Sequence, residues 1–264
     1  FLNTLSRFTD GSHQLASIVS RIDLYDEIEI KHGSDTSISF DGPFGNEIER
    51  DNNISKLFRY LINKNYLSEQ SFSIHIKKNI PVGSGLGGGS SNIAEIIKYL
   101  ININLLNKSK SIEIARDLGS DVEFFLEEDS ALISGKGEVD QRLKIESKDN
   151  ILILFPKIPN STKEIFQNHD ELSIKKFSFN KNISFREILK STSNVLEKTA
   201  LSFNQEMSYV KDFLNKDNNC KFERMTGTGS AYFGIYQDKS MADEAIIKIS
   251  REYPNWWTHL TKII

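Results

Sequence analysis

Residues 81–92, from Pro81 to Asn92, hold five glycines and three serines in twelve positions. No other stretch restricts the fold as strongly. That much bare backbone is useful where a loop takes φ > 0, or where a ligand must reach the main chain with no Cβ in the way. Just before it, Phe72, Ile74 and Ile76 alternate with Ser73, His75 and Lys77, which predicts a strand ending by Pro81. Just after it, Ile93, Ile96, Ile97 and Leu100 fall on one helical face, with Ser90, Ser91 and Asn92 expected as N-caps. The stretch is therefore a strand-to-helix junction. Unpaired N–H groups and the positive end of the helix dipole point the same way there, so an anion is the expected guest, phosphate above all. A flexible Gly/Ser linker would not be wedged so tightly between two regular elements.

Several phosphate loops share this look, and the residues separate them. Walker A requires Lys before the Ser/Thr, and none stands there. Gly83, Gly85 and Gly88 match Gly-x-Gly-x-x-Gly, but a dinucleotide fold wants an acidic residue about 20 positions on, where Asn107 and Lys108 stand. The His-Arg-Asp and Asp-Phe-Gly signatures of protein kinases are missing from the sequence.

Length and charge set the outer bounds. The sequence has 264 residues, enough for one large or two modest domains at roughly 150 residues each. A net charge of -3, with 38% hydrophobic and 26% charged residues, gives no bulk attraction to nucleic acid and argues against disorder. The longest apolar runs, such as Ile151 to Phe155, fall far short of a bilayer span of about 20 residues, so a cytoplasmic enzyme with no membrane partner is expected. Cys220 is the single cysteine, which rules out an internal disulfide and a Cys-based zinc site; it is expected to be buried or half-buried. The five histidines show no metal-ligand spacing, so no metal held by the protein alone is expected.

Along the chain, Ser17 to Ile30 reads as a strand around acidic turns. Ile112, Ala115 and Leu118 mark a helix stopped by Gly119 at the C′ position, with Asp121 directly after it. Ala131 to Ser134 reads as a strand closing on Gly135 to Gly137. A second domain is expected from about residue 145, giving a division into 1–144 and 145–264, and it opens on the strand Ile151 to Phe155. Ser184 and Glu187 form a capping-box pattern. The chain then runs strand, helix, strand through Ala231–Tyr236, Ala242–Tyr253 and Trp256–Ile263, with Ser240 and Asp243 expected to cap the helix and Pro254 to end it.

The stretch from Pro81 to Ser91 resembles the phosphate loop of the GHMP kinases, which reads Pro-x-x-x-Gly-Leu-Gly-Ser-Ser. Its three-glycine form, Gly85 to Asn92, is similar to the branch acting on a cytidyl-linked sugar alcohol. That branch carries Asp-Gly-Tyr-His near its start, as Asp10-Gly11-Ser12-His13 does here, and Leu-Gly-Ala-Asp-Val-Pro, as in Leu118 to Glu123. A late glycine motif resembles Thr226 to Ser230. The motifs fall in family order over nearly the whole chain. The resemblance implies an α+β fold of two domains with mixed sheets and helices, an N-terminal ATP-binding domain, a C-terminal GHMP domain, and an active site in the cleft between them. It implies transfer of a phosphoryl group from ATP, with Mg²⁺, to a small alcohol in isoprenoid precursor synthesis. Another small alcohol as acceptor, or a lapsed nucleotide-binding sensor, are the alternatives.

By the same resemblance, Pro81, Val82, Gly83, Ser84, Gly85, Leu86, Gly87, Gly88, Gly89, Ser90 and Ser91 cradle the ATP phosphates, and Ser91 reaches the magnesium. Lys78 lines the adenine pocket; the plainer reading of a lysine before a turn is a solvated surface charge. Asp121 takes the proton from the acceptor hydroxyl. The plainer reading is a cap on a short helix beginning at Val122. A lysine and an asparagine facing this aspartate are expected immediately upstream of Phe1. His13 bonds the cytosine edge, Phe166 stacks on the base and Thr162 lies close by; Phe166 also reads as a core residue and His13 as a turn residue. Two departures stand out. Ser12 replaces the tyrosine that covers the second face of the base, and Glu123 replaces a proline, placing a carboxylate near Asp121 that raises its pKa if the two come within a few ångströms.

Overall fold

The computed structural model describes residues 1–67, 71–145, 147–172 and 185–264. In chain order it runs β1 (Leu2–Arg7), β2 (His13–Val19), β3 (Glu27–His32), β4 (Ser37–Asp41), α1 (Asn53–Asn63) and β5 (Phe72–Lys77). Then come α2 (Gly88–Asn102), α3 (Ser111–Leu118), α4 (Val122–Phe125), β6 (Ser130–Gly135), β7 (Glu138–Leu143) and β8 (Asn150–Phe155). The rest is α5 (Thr162–Gln167), α6 (Phe185–Ser191), α7 (Glu197–Phe203), α8 (Glu206–Lys216), β9 (Phe222–Met225), β10 (Tyr232–Tyr236), α9 (Lys239–Glu252) and β11 (Trp257–Thr261).

These elements pack into two compact units, each discontinuous in sequence. One is Leu24–Val82 with Gly87–Glu128; the other is Phe1–Asp23, Gly83–Leu86 and Asp129–Ile264. This differs from the single division between residues 144 and 145, because β6 and β7 share a sheet with β1 and β2 at the chain's start. The glycine loop is itself divided, since the chain changes unit after Val82 and again after Leu86.

In the unit containing residues 24–82, β5 is the central strand, antiparallel to β3 and parallel to β4. Its alternation places Phe72, Ile74 and Ile76 at 0–1% exposure against Leu57, Leu61, Ile96, Ile97, Leu100 and Ile114 from α1, α2 and α3. Each such side chain contributes about 1.5–3 kcal/mol by leaving water. The apolar face predicted for residues 93–100 is thus the face α2 buries. In α3 the buried positions are Ser111, Ile114 and Ala115, while Ile112 is half exposed. Gly119 is its C-cap, with extended backbone (φ 167°) in place of the left-handed C′ turn expected.

The other unit holds two antiparallel four-stranded sheets, ordered β1-β2-β6-β7 and β11-β8-β10-β9. All six residues of β8 are buried: an apolar run, Ile151–Phe155, between two neighbouring strands, and Asn150, whose Nδ2 donates to the Gln237 carbonyl (3.2 Å). α5, α7, α8 and α9 contribute Ile165, Ala200, Val210, Leu214 and Ile249 to the cluster against Leu152, Leu154, Tyr232 and Tyr236. Cys220 is half-buried and donates its thiol to the Phe222 carbonyl.

Three local expectations are corrected. Ser17 to Ile30 is two strands, β2 and β3, separated by the segment 20–26, in which Ile22 makes an isolated antiparallel bridge to Ile263. α2 is led by Gly87 in the left-handed region (φ 73°) with no side-chain cap bond, so Ser90, Ser91 and Asn92 lie inside the helix. Asp238 occupies the N-cap of α9, and Asp243 pairs with Lys239 (2.7 Å) instead of completing a box with Ser240. The capping pattern at Ser184 lies outside the described residues. Among the described residues no helix is long and apolar enough to cross a membrane.

Candidate active site

The glycine loop runs from β5 to α2 through alternating left-handed turns at Gly83 (φ 63°), Gly85 (φ 75°) and Gly87 (φ 73°). Gly85 tolerates no side chain: a Cβ there would stand 2.2 Å from the Thr226 carbonyl oxygen. The Ser84 carbonyl accepts from Thr226 Oγ1 (2.7 Å) and the Ala231 N–H (3.2 Å), and the Gly83 carbonyl accepts from the Asn160 N–H (2.9 Å). The late glycine motif, Thr226 to Ser230, is thus what residues 83–86 rest on. Asn194 fixes that motif in turn, donating Nδ2 to the carbonyls of Met225 (3.1 Å) and Gly227 (2.7 Å).

At Gly87 the loop becomes the mouth of α2. The first helical bond runs from the Ser91 N–H to the Gly87 carbonyl (2.9 Å). The N–H groups of Gly88, Gly89 and Ser90 therefore have no helical acceptor. Fifteen residues of aligned peptide dipoles stand behind them. A triphosphate fits this donor set, and Ser91, one turn in, carries a hydroxyl suited to a hard cation riding on the phosphates.

Lys78 is not a surface lysine. Its side chain is 4% exposed and pairs with Asp26, whose own side chain is 0% exposed. The Lys78 charge is thereby committed inside the unit, one turn before the loop. Sequence reasoning missed Asp26 altogether, because an acid in a polar segment carries no mark of burial.

Asp121 occupies the N-cap position of the four-residue α4, yet its side chain makes no capping bond. That removes the plainer reading of the residue. The carboxylate is accessible to water, while protein crowds its wider surroundings. This desolvation pushes its pKa up, against the weaker pull of the Ser120 hydroxyl 3.3 Å away. Glu123, which would raise it too from within a few ångströms, does not do so. Its buried carboxylate takes a bidentate pair of bonds from Arg116 (2.6 and 3.0 Å), which neutralise it.

His13, Phe166 and Thr162 belong to the other unit, where the fold brings β2 and α5 together. The His13 and Phe166 rings lie 5.7 Å apart at 41°. His13 is buried and its Nε2 lies 3.1 Å from the His169 carbonyl. Because a carbonyl only accepts, a neutral His13 carries its hydrogen on Nε2 and offers Nδ1 as an acceptor. Phe166 is half-buried, packed on the core below and against His13. The Thr162 hydroxyl is 3.1 Å from that of Thr228. Ser12, in the tyrosine's place, is turned into its own loop: its hydroxyl and N–H both donate to Asp10 (2.6 and 3.0 Å). His169 is a second residue the sequence did not disclose. Wholly buried, it bonds Thr4 (3.0 Å) and Thr199 (3.1 Å) through its two ring nitrogens, and burial pushes its pKa down.

The family model described as GHMP kinases N terminal domain matches residues 52–128, and the one described as GHMP kinases C terminal matches residues 174–255. A protein of Pelagibacter ubique (strain HTCC1062) named 4-diphosphocytidyl-2-C-methyl-D-erythritol kinase is 34% identical over 96% of this chain and 91% of its own length. A protein of the same name from Caldicellulosiruptor saccharolyticus is 33% identical over 90% of this chain and 85% of its own. Among solved structures, a 4-(cytidine 5'-diphospho)-2C-methyl-D-erythritol kinase superposes with a TM-score of 0.73 at 25% identity, covering 98% of this chain and 94% of that one. The chain belongs to the GHMP kinases, and within them to the family these relatives represent.

Proposed function

We propose that this chain transfers the γ-phosphoryl group of ATP to the 2-hydroxyl of 4-diphosphocytidyl-2-C-methyl-D-erythritol, a cytoplasmic step in non-mevalonate isoprenoid precursor synthesis. The observation that carries the reading is a pairing of features in one unit. A glycine-led helix mouth with open N–H donors stands there with an accessible, uncapped carboxylate at Asp121.

Phosphoryl transfer asks little covalent chemistry of a protein, so positioning and electrostatics carry it. Residues 81–91 hold the triphosphate through main-chain amides. Ser91 would touch a magnesium ion bound with ATP, and that ion would supply positive charge to offset the phosphate charge. Asp121 accepts the proton of the acceptor hydroxyl as its oxygen bonds to the γ-phosphorus, and the bond from that phosphorus to the bridging oxygen breaks to release ADP. The raised pKa of Asp121 makes it a better proton acceptor than an ordinary surface aspartate. Lys78 serves the nucleotide side from its buried pair with Asp26. His13 Nδ1 accepts from the exocyclic amine of cytosine, with Phe166 stacked on the base and Thr162 at the edge.

Release of ADP tests this reading, with ATP supplied alongside cytidyl-methylerythritol, homoserine, mevalonate or galactose in turn. Release with the cytidyl alcohol alone is expected. Release with another alcohol would reassign the substrate, and release with none would leave a nucleotide-binding protein without transfer activity.

A further inference from the structure

One buried carboxylate holds more partners than its pairing with Lys78 requires. Asp26 lies directly before β3, and its carboxylate accepts four hydrogen bonds. Oδ1 takes the N–H groups of Asn79 (2.7 Å) and Ile80 (2.9 Å). Oδ2 takes Nδ2 of Asn92 (2.9 Å) and the Lys78 ammonium. Asn79 and Ile80 come directly before the glycine loop; Asn92 comes directly after it, four residues into α2. A single carboxylate therefore ties the strand side of the loop to the helix side.

We infer that Asp26 and Asn92 are positioning residues for nucleotide binding, and this rests on the phosphate-loop reading given above. The loop's own glycines cannot hold its two ends in register, because glycine backbone is the least restrained of all. Donors aimed at phosphate are effective only when their orientation is fixed before the ligand arrives. The four-bond staple at Asp26 supplies that fixation without touching the ligand. A carboxylate serving the core alone would need its charge balanced, which Lys78 does; the bond to Asn92 adds a link to the one helix whose mouth faces the phosphates.

Asn92→Ala removes that link and leaves the Lys78 pair and both backbone bonds in place; Asn92→Leu, nearer in volume, serves if the alanine variant folds poorly. The probe is a non-hydrolysable ATP analogue titrated calorimetrically into native and variant protein, beside KM for ATP and for the cytidyl alcohol. Analogue affinity should fall about tenfold, as for loss of a bond to a charged group, with KM for ATP rising in parallel. KM for the alcohol should stay within about twofold, a split that loosening of the fold alone would not produce. Unchanged analogue affinity in the variant overturns the inference, and so does an equal loss for both substrates. Native protein that fails to bind the analogue overturns the phosphate-loop reading, and the inference with it.

Discussion

Asp26 and Asp121 lie in the same compact unit and meet opposite surroundings. The Asp26 side chain is 0% exposed, with a lysine and three further donors on its two oxygens. Asp121 is open to water, with one serine hydroxyl at 3.3 Å and no capping bond. A carboxylate whose lone pairs are filled holds a structure together, while one left short of partners in crowded surroundings is free to take a proton. Glu123, two residues beyond Asp121, is a third case: its charge is spent on Arg116, so it leaves its neighbour alone. Fold and chemistry have thus been given to different acids, and the number of donors on each tells them apart.

Substitution should expose this contrast. Asp26→Ala leaves the Lys78 ammonium buried without a partner, a cost of about 3–5 kcal/mol, to be read from denaturant unfolding. A loss near that of an exposed ion pair, below about 1 kcal/mol, would break the comparison. On the base-binding side, Phe166→Ala should raise KM for the cytidyl alcohol by the worth of one stacked base, about 1–3 kcal/mol, while KM for ATP stays put. A larger rise for ATP than for the alcohol would move Phe166 out of the proposed base site.

The smallest effects are those of pH, and they carry opposite signs. Burial lowers the His169 pKa, so as pH falls through 6.5 and below, the unfolded chain takes up this proton before the folded one. Its share of stability is fully present above 6.5 and is lost toward acid. Asp121 is raised, so the folded chain protonates first: its share is present below 3.8 and lost as pH rises toward the raised value. A histidine NMR titration should place His169 below 6.5, and a midpoint at or above that value would contradict the burial seen here. Asp121→Asn should be no less heat-stable than native protein at neutral pH, whereas Asp26→Ala should be much less so.

What the sequence disclosed follows from the range of the physics involved. The glycine loop, the strand before it and the buried face of α2 are local: backbone freedom, alternation and helical spacing are written in adjacent residues. The caps misled because Ser90 and Ser91 have capping side chains, yet the left-handed turn that starts α2 required Gly87 just ahead of them. Lys78 reads as a surface charge until the distant Asp26 is folded onto it. The proximity of His13 to Phe166, and the buried His169 behind them, depend on packing across sequence-remote elements that no periodicity reports. Asp121 could be singled out only by likeness to the family's motif, since a lone aspartate after glycine has a simpler use as a cap.

The most direct test of the central claim is the rate of phosphoryl transfer in a single turnover by Asp121→Asn, with ATP and the cytidyl alcohol both saturating. Loss of a general base predicts a fall of about 10²–10⁴-fold with ATP affinity unchanged. Transfer at the native rate would show that the proton leaves by another route and that Asp121 is not the base.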